Sequence, residues 1–248
     1  MKILLTNDDG IESRGIVALA DALSQEHEVW IVAPDRERSG SSHSITLKEP
    51  TRIRKVSDRI FACGGTPADC VILSLLGIVP VSIDMIISGL NLGPNLGTDI
   101  IYSGTAAAAR QGALMGKPSI AASINAYSEP FNFEPAVNFI RNNIDKFAEM
   151  WTNDHFLNIN FPNEGKGGMR VRVTFPALRI YKDRLVRFTA PNGDIYCFLG
   201  GEKPQSRIEE GSDSYTLAGG DVSLSPILIH PTNHSIEEKY RSANFRIG

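Results

Sequence analysis

The ten opening residues, MKILLTNDDG, constrain this chain more than any other stretch. Ile3, Leu4 and Leu5 form a short apolar run that stops at Thr6-Asn7-Asp8-Asp9-Gly10. An unbroken apolar run closed by a polar turn predicts a strand buried on both faces of a parallel sheet. The continuation predicts a helix, because Ile16, Leu19, Ala20 and Leu23 recur at i, i+3, i+4 and i+7, with Ser13 as candidate N-cap. Ligands of open α/β sheets bind outside the carboxyl ends of the strands, which is where Asp8 and Asp9 fall. Two adjacent carboxylates repel unless a cation or a proton intervenes. The plainer alternative is an Asx-turn or a capping pair.

The pattern repeats along the chain. Glu28 to Ala33 predicts a second strand, followed by the polar, small-residue loop Arg36 to Ser44. Ile45 to Arg54 is a weakly alternating extended segment leading to Ile60-Phe61-Ala62-Cys63. Gly64 to Cys70 predicts a turn and a helix start, with Thr66 as N-cap, Pro67 at N1 and Asp69 in the first turn. That helix continues through Leu76 toward Gly77. Asp84 to Ser88 predicts another buried strand, ending in the glycine-rich loop 89–99. Ser103-Gly104-Thr105 opens an alanine-rich helix closed at Gly116. Ser119 to Ile124 predicts a strand, Phe133 to Trp151 a helix, and Phe156 to Pro162 a strand. Strands and helices in alternation predict a doubly wound, mostly parallel, Rossmann-like α/β sheet over residues 1–164.

The character changes across residues 163–168. Beyond it Val171 to Phe175, Leu185 to Thr189, Ile195 to Leu199 and Val222 to Ile229 read as strands, and Pro191-Asn192-Gly193-Asp194 as a hairpin turn. Residues 165–248 are therefore expected to form a β-rich hairpin arm and a C-terminal segment that packs on a partner subunit. Ser235 to Phe245 is a candidate terminal helix.

Composition sets limits on function. With 248 residues, 42% hydrophobic and 21% charged, the chain can bury a sizeable core. A net charge of −3 gives no general affinity for nucleic acid or anionic membranes, so phosphate chemistry must use a local device. Cys63, Cys70 and Cys197 match no zinc or redox spacing and are expected as free thiols. The opening is too short and too soon acidic for a signal peptide, so the expected compartment is the cytoplasm.

Three loops thus fall on one sheet edge, carrying Asp8 and Asp9, Ser39, and Asn91 with Asn95. They offer carboxylate, hydroxyl and amide oxygens, a set suited to a hard divalent cation such as Mg²⁺ or Mn²⁺ rather than structural zinc. A fourth, Ser103-Gly104-Thr105, presents backbone N–H groups and the positive end of a helix dipole to an anion. A cation beside an anion cradle is the minimum equipment for phosphomonoester hydrolysis. Each residue has a plainer role as well: Ser39, Asn91 and Asn95 in turns, Ser103 or Thr105 as a cap, and His43 as a solvated loop histidine.

The same residues carry a resemblance. The chain resembles the SurE, or survival-protein-E, nucleotidases essentially end to end. The matching pieces are ILLTNDDG (3–10), APDRERSGSSHSIT (33–46), GTPADC (65–70), SGLNLGPNLG (88–97), YSGTAA (102–107) and LNINFP (157–162). The resemblance implies a divalent-metal-dependent phosphatase acting on nucleoside 5′- and 3′-monophosphates, with short polyphosphate as a further substrate. It implies one cation per subunit held by Asp8, Asp9, Ser39 and Asn91, and phosphate held by Asn95, Ser103, Gly104 and Thr105. It also implies a homodimer or homotetramer built partly through an exchanged C-terminal hairpin.

The expected reaction is in-line attack of water on phosphorus, with Asp9 the better candidate of the two acids to orient or deprotonate the water. An aspartyl-phosphate mechanism is disfavoured, because it goes with a D-x-D arrangement and here the acids are adjacent. A non-catalytic nucleotide-binding module would need a cradle but not four convergent oxygen ligands. A dinucleotide-dependent oxidoreductase would need the G-x-G-x-x-G turn that is missing after the first strand.

Overall fold

The computed structural model describes residues 1–164 and 168–246; residues 165–167, at the expected change of character, lie outside this description. The opening run is strand β1 (Lys2–Thr6), buried from Ile3 onward. Ile3 and Leu5 face one hydrophobic layer and Leu4 the other, which is why the run is not interrupted by polar residues. Helix α1 (Arg14–Leu23) buries Ile16, Leu19 and Leu23. Ser13 does occupy its N-cap position, but its side chain makes no capping hydrogen bond.

Strand β2 (Glu28–Pro34) is followed by the hairpin β3 (Ile53–Ser57) and β4 (Ile60–Cys63), then by helix α2 (Pro67–Leu73). Thr66 and Asp69 close a reciprocal capping box at the start of α2. The expected continuation toward Gly77 is instead a wider helical turn over Ser74–Ile78. Strand β5 (Met85–Leu92) runs through Gly89, Leu90 and Asn91, which the glycine content had marked as loop. Its pairing shifts register between Ser88 and Asn91, so a strand continues where the sequence signals a break. A short helix α3 (Asp99–Tyr102) precedes α4 (Gly104–Leu114), and β6 (Ser119–Asn125), α5 (Glu134–Met150) and β7 (His155–Pro162) follow.

The later residues add β8 (Val171–Val173), β9 (Arg179–Ile180), β10 (Asp183–Thr189), β11 (Ile195–Gly201), β12 (Gln205–Ser206), α6 (Asp213–Ala218), β13 (Val222–Leu228) and α7 (Glu237–Arg241). The large sheet has the order β3-β4-β2-β1-β5-β6-β7-β13-β8. From β4 to β7 every neighbour is parallel; β3 and β13 run antiparallel to their inner neighbours. Residues on both sides of 164 therefore contribute to one sheet. Helices α1 and α5 cover one face, and α2 and α4 the other. Strand order reverses on either side of β1, which places the ligand crevice outside the ends of β1 and β5.

The hairpin β10–β11 pairs apart from this sheet, Asp183 opposite Gly201 through Thr189 opposite Ile195, closed by the expected turn at Asn192-Gly193. Its apolar side chains, Leu185, Phe188, Ile195, Phe198 and Leu199 among them, are exposed. Among the described residues no helix is long and apolar enough to cross a membrane.

Candidate active site

Asp8 and Asp9 follow β1 at the switch point. The turn is built by Asn7, whose amide donates to Gly10 O (2.8 Å) and accepts from Gly10 N (3.1 Å). Asp8 is almost fully buried. The Thr105 hydroxyl donates to Asp8 Oδ1 and lies 3.3 Å from Asn91 Oδ1. Leu92 N donates to Asp9 Oδ2 at 3.2 Å, so the ends of β1 and β5 and the first turn of α4 meet at the two acids. Gly104 makes this approach possible: a Cβ there would fall 2.8 Å from Asp8 Cβ and 2.9 Å from Asp8 Oδ2.

Burial raises the pKa of Asp8, against the opposing hydrogen bonds from Thr105. Burial, and then the charge of Asp8, push Asp9 up to about 7. Neither acid forms an ion pair with a basic side chain among the described residues. A buried carboxylate beside a half-buried one, with no basic partner, calls for a proton or a cation.

The remaining expected residues divide. Ser103 is the N-cap of α4, its Oγ accepting from Ala106 N at 3.0 Å. Asn95 is buried and turned toward β6 and β7: its side-chain amide donates to Ser123 Oγ (2.9 Å), and its backbone carbonyl accepts from the Asn158 and Asn160 amides. Ser39 is exposed and donates to Glu37 at 2.7 Å. The structure thus groups Asp8, Asp9, Asn91, Gly104 and Thr105, with Ser103 capping the same helix, while Asn95 and Ser39 are engaged elsewhere. His43 is bonded to Gln111 at 2.9 Å, and burial lowers its pKa.

Sequence reasoning missed Ser41. Its Oγ is buried without a partner and lies 2.9 Å from the point a Gly104 Cβ would occupy, on the same side as Asp8. Nothing in the run SGSSHS separates Ser41 from its neighbours. The loop carrying it is held at three places. Arg38 N donates to Asp8 O (2.7 Å), and Ser42 donates through N and Oγ to Tyr102 O and Ile101 O. Farther on, Thr46 donates through N and Oγ1 to Asp69 at 2.9 and 2.6 Å. Burial works against the Asp69 anion, yet these bonds and those from Thr66 hold its pKa below the usual carboxylate range.

A second missed residue, Asp213, fastens the loop after β5. Its carboxylate accepts from Gly97 N (2.7 Å) and Ala177 N (3.0 Å). Gly97, at φ +50°, lies so close to this segment that a Cβ would come within 1.9 Å of Ala177 O.

The donor set fits a hard divalent cation. It comprises the buried carboxylate of Asp8, the half-buried one of Asp9, the Asn91 amide oxygen and the orphaned Ser41 hydroxyl, all of them oxygens. No three His, Cys, Asp or Glu side chains converge among the described residues, so any further protein donors are neutral oxygens.

Comparison with known proteins identifies the family of the chain. The family model described as Survival protein SurE matches residues 3–183. A protein named 5'-nucleotidase SurE from Syntrophomonas wolfei is 40% identical over 98% of this chain and 94% of its own length. One of the same name from Pseudothermotoga lettingae is 42% identical over 94% and 91%. The crystal structure of SurE protein from Aquifex aeolicus superposes with a TM-score of 0.82 at 36% identity, covering 97% of this chain and 98% of that one. With the motifs, the sheet order and the model match in agreement, this chain belongs to the SurE family.

Proposed function

We propose that this chain is a divalent-metal-dependent phosphatase that hydrolyses nucleoside 5′- and 3′-monophosphates to nucleoside and phosphate, with short polyphosphate as a secondary substrate. The observation that carries this reading is the adjacent Asp8–Asp9 pair, with buried Asp8 fastened by Thr105 to the first turn of α4 and half-buried Asp9 held by Leu92 N. The names of the relatives support the nucleotide as substrate. Asp8, Asp9 and Asn91 would hold Mg²⁺ or Mn²⁺, and Ser39 would complete the set on giving up Glu37. Once bound, the cation supplies Lewis-acid charge and an activated water.

The protein's own groups do the rest. The N–H groups at the start of α4, which here face Asp8, and the Asn95 amide, on giving up Ser123, would hold phosphoryl oxygens where negative charge builds. Asp9, less buried than Asp8 and held through Oδ2 by Leu92 N, is the better candidate of the two acids to orient or deprotonate the attacking water. The exposed apolar hairpin supports assembly as a homodimer or homotetramer. The buried free thiols Cys63 and Cys70 support a cytoplasmic location.

The test is phosphate release from a panel of nucleoside 5′- and 3′-monophosphates and short polyphosphate, metal-free, with Mg²⁺ and with Mn²⁺. Release that requires added cation and is lost in Asp8→Asn is the expected result. A folded protein that releases no phosphate under any of these conditions overturns the reading.

A further inference from the structure

The sequence contains many aromatic residues and gives no sign of which one meets the nucleobase. We infer that Tyr127 is the platform on which the base of a nucleotide substrate stacks, a proposal that rests on the phosphatase reading of the site. Tyr127 follows β6, which pairs in parallel with β5 through Asn91 opposite Ser123 and Leu92 opposite Ile124. It therefore emerges at the same sheet edge as Asn91. Its ring carbons Cδ1 and Cε1 lie 3.9 Å from the point a Cβ on Gly93 would occupy, and the Asn91 amide nitrogen lies 3.9 Å from that same point. Gly93 leaves the space between them open, and any side chain there would stand between ring and amide.

The ring is exposed to 59%, although its loop is fastened on both sides. Ala126 N donates to Ile124 O at 2.8 Å, Glu129 pairs with Arg14 of α1, and Asn163 donates to Pro130 O at 2.8 Å. An exposed aromatic alone is ordinary; one on a tethered loop beside the candidate cation ligand Asn91 offers a stacking face. Lys203, from the segment after β11, places its ammonium 4.8 Å from the ring centroid. This cation–π contact covers one side of the ring, so a base would stack on the other. The other exposed aromatic beside the cradle, Tyr102, is packed edge-on to Tyr181 at 6.2 Å and supports the root of the hairpin instead.

The test compares kcat/KM for adenosine 5′-monophosphate with kcat/KM for ribose 5-phosphate, which lacks the base. Losing one base–aromatic stack weakens binding on the order of tenfold. The ratio of the two constants is expected to fall about tenfold in Tyr127→Ala, mainly through KM for the nucleotide, and to be kept in Tyr127→Phe. A ratio in Tyr127→Ala equal to that of the unmodified protein overturns the proposal, because a merely structural role would weaken both substrates alike. Should the unmodified protein hydrolyse neither compound, calorimetric binding of the same two ligands decides. A fall in the binding ratio then keeps the platform while the phosphatase reading fails, and an equal ratio overturns the platform as well.

Discussion

The Thr105 hydroxyl donates to the Asp8 carboxylate across 97 residues of chain, fastening the first turn of α4 to the end of β1. Thr105→Val keeps the shape and removes the donor. Loss of a hydrogen bond that orients a cation ligand costs about 10- to 100-fold in activity. Steady-state kinetics should give that loss in Thr105→Val and largely recover activity in Thr105→Ser. Full activity in the valine variant would show that Asp8 holds its place without Thr105.

Gly104→Ala separates activity from stability. The new Cβ would meet Asp8 Cβ at 2.8 Å and both Asp8 Oδ2 and Ser41 Oγ at 2.9 Å, so the carboxylate must move. Replacing glycine by alanine in a helix gains up to about 1 kcal/mol of helix propensity, which offsets part of that strain. The expected outcome is a melting temperature within a few degrees of the parent and a turnover lower by about a hundredfold.

Cation removal should show a pH signature. Asp9 is raised in the folded protein from 3.8 to about 7. The stability this group contributes is therefore fully present below pH 3.8 and is lost as pH rises through about 7. The cation must displace the proton, so Mg²⁺ or Mn²⁺ should raise Tm more at about pH 8 than at about pH 6. At about 100 times Kd the gain is about 2.7 kcal/mol. Metal-free Asp9→Asn should melt above the metal-free parent at about pH 8 and respond little to cation. Calorimetry with and without chelator measures both, and an equal cation response at the two pH values would contradict the linkage.

Asp69→Ala should open the site from a distance. The change removes the carboxylate that accepts from Thr46 and from Thr66, at a cost of about 2 kcal/mol. Because the folded pKa of Asp69 is lowered, its contribution is present above pH 3.8 and is lost as pH falls through the folded value. The Tm gap between parent and variant should therefore narrow in acid. A gap that stays constant would mean that the anion contributes nothing.

The hairpin predicts an oligomer. Leu185 and Leu199 are register partners, exposed to 66% and 82%. Replacing both by glutamate should convert a dimer or tetramer into a monomer by light scattering, with the large sheet intact by circular dichroism. A parent that is already monomeric would refute the assignment.

The sequence carried the parallel core because each buried strand is an apolar run ending in a polar turn, as in Ile3 to Asp9. It carried the start of α4 and the capping box of α2 because both depend on neighbouring residues. It failed where the deciding partner is remote. The extension of β5 through Gly89 to Leu92 rests on pairing with β6, which outweighs the local glycine signal. The amide of Asn95, expected toward phosphate, meets Ser123 of β6 here, a contact that nothing near Asn95 in sequence announces. Asp213 and Tyr127 had no local signature, since their roles come from Gly97 and Gly93, far away along the chain.

The carboxylate of Asp213 reaches back 116 residues to the amide of Gly97. The reactive acids are encoded within the first ten residues, but the loop beside them is tied down by a residue made much later. A nascent chain that has not yet released Asp213 from the ribosome holds the acids without a finished site. A fragment cut before residue 213 is therefore expected to keep Asp8 and Asp9 but to lose the tie that holds Gly97.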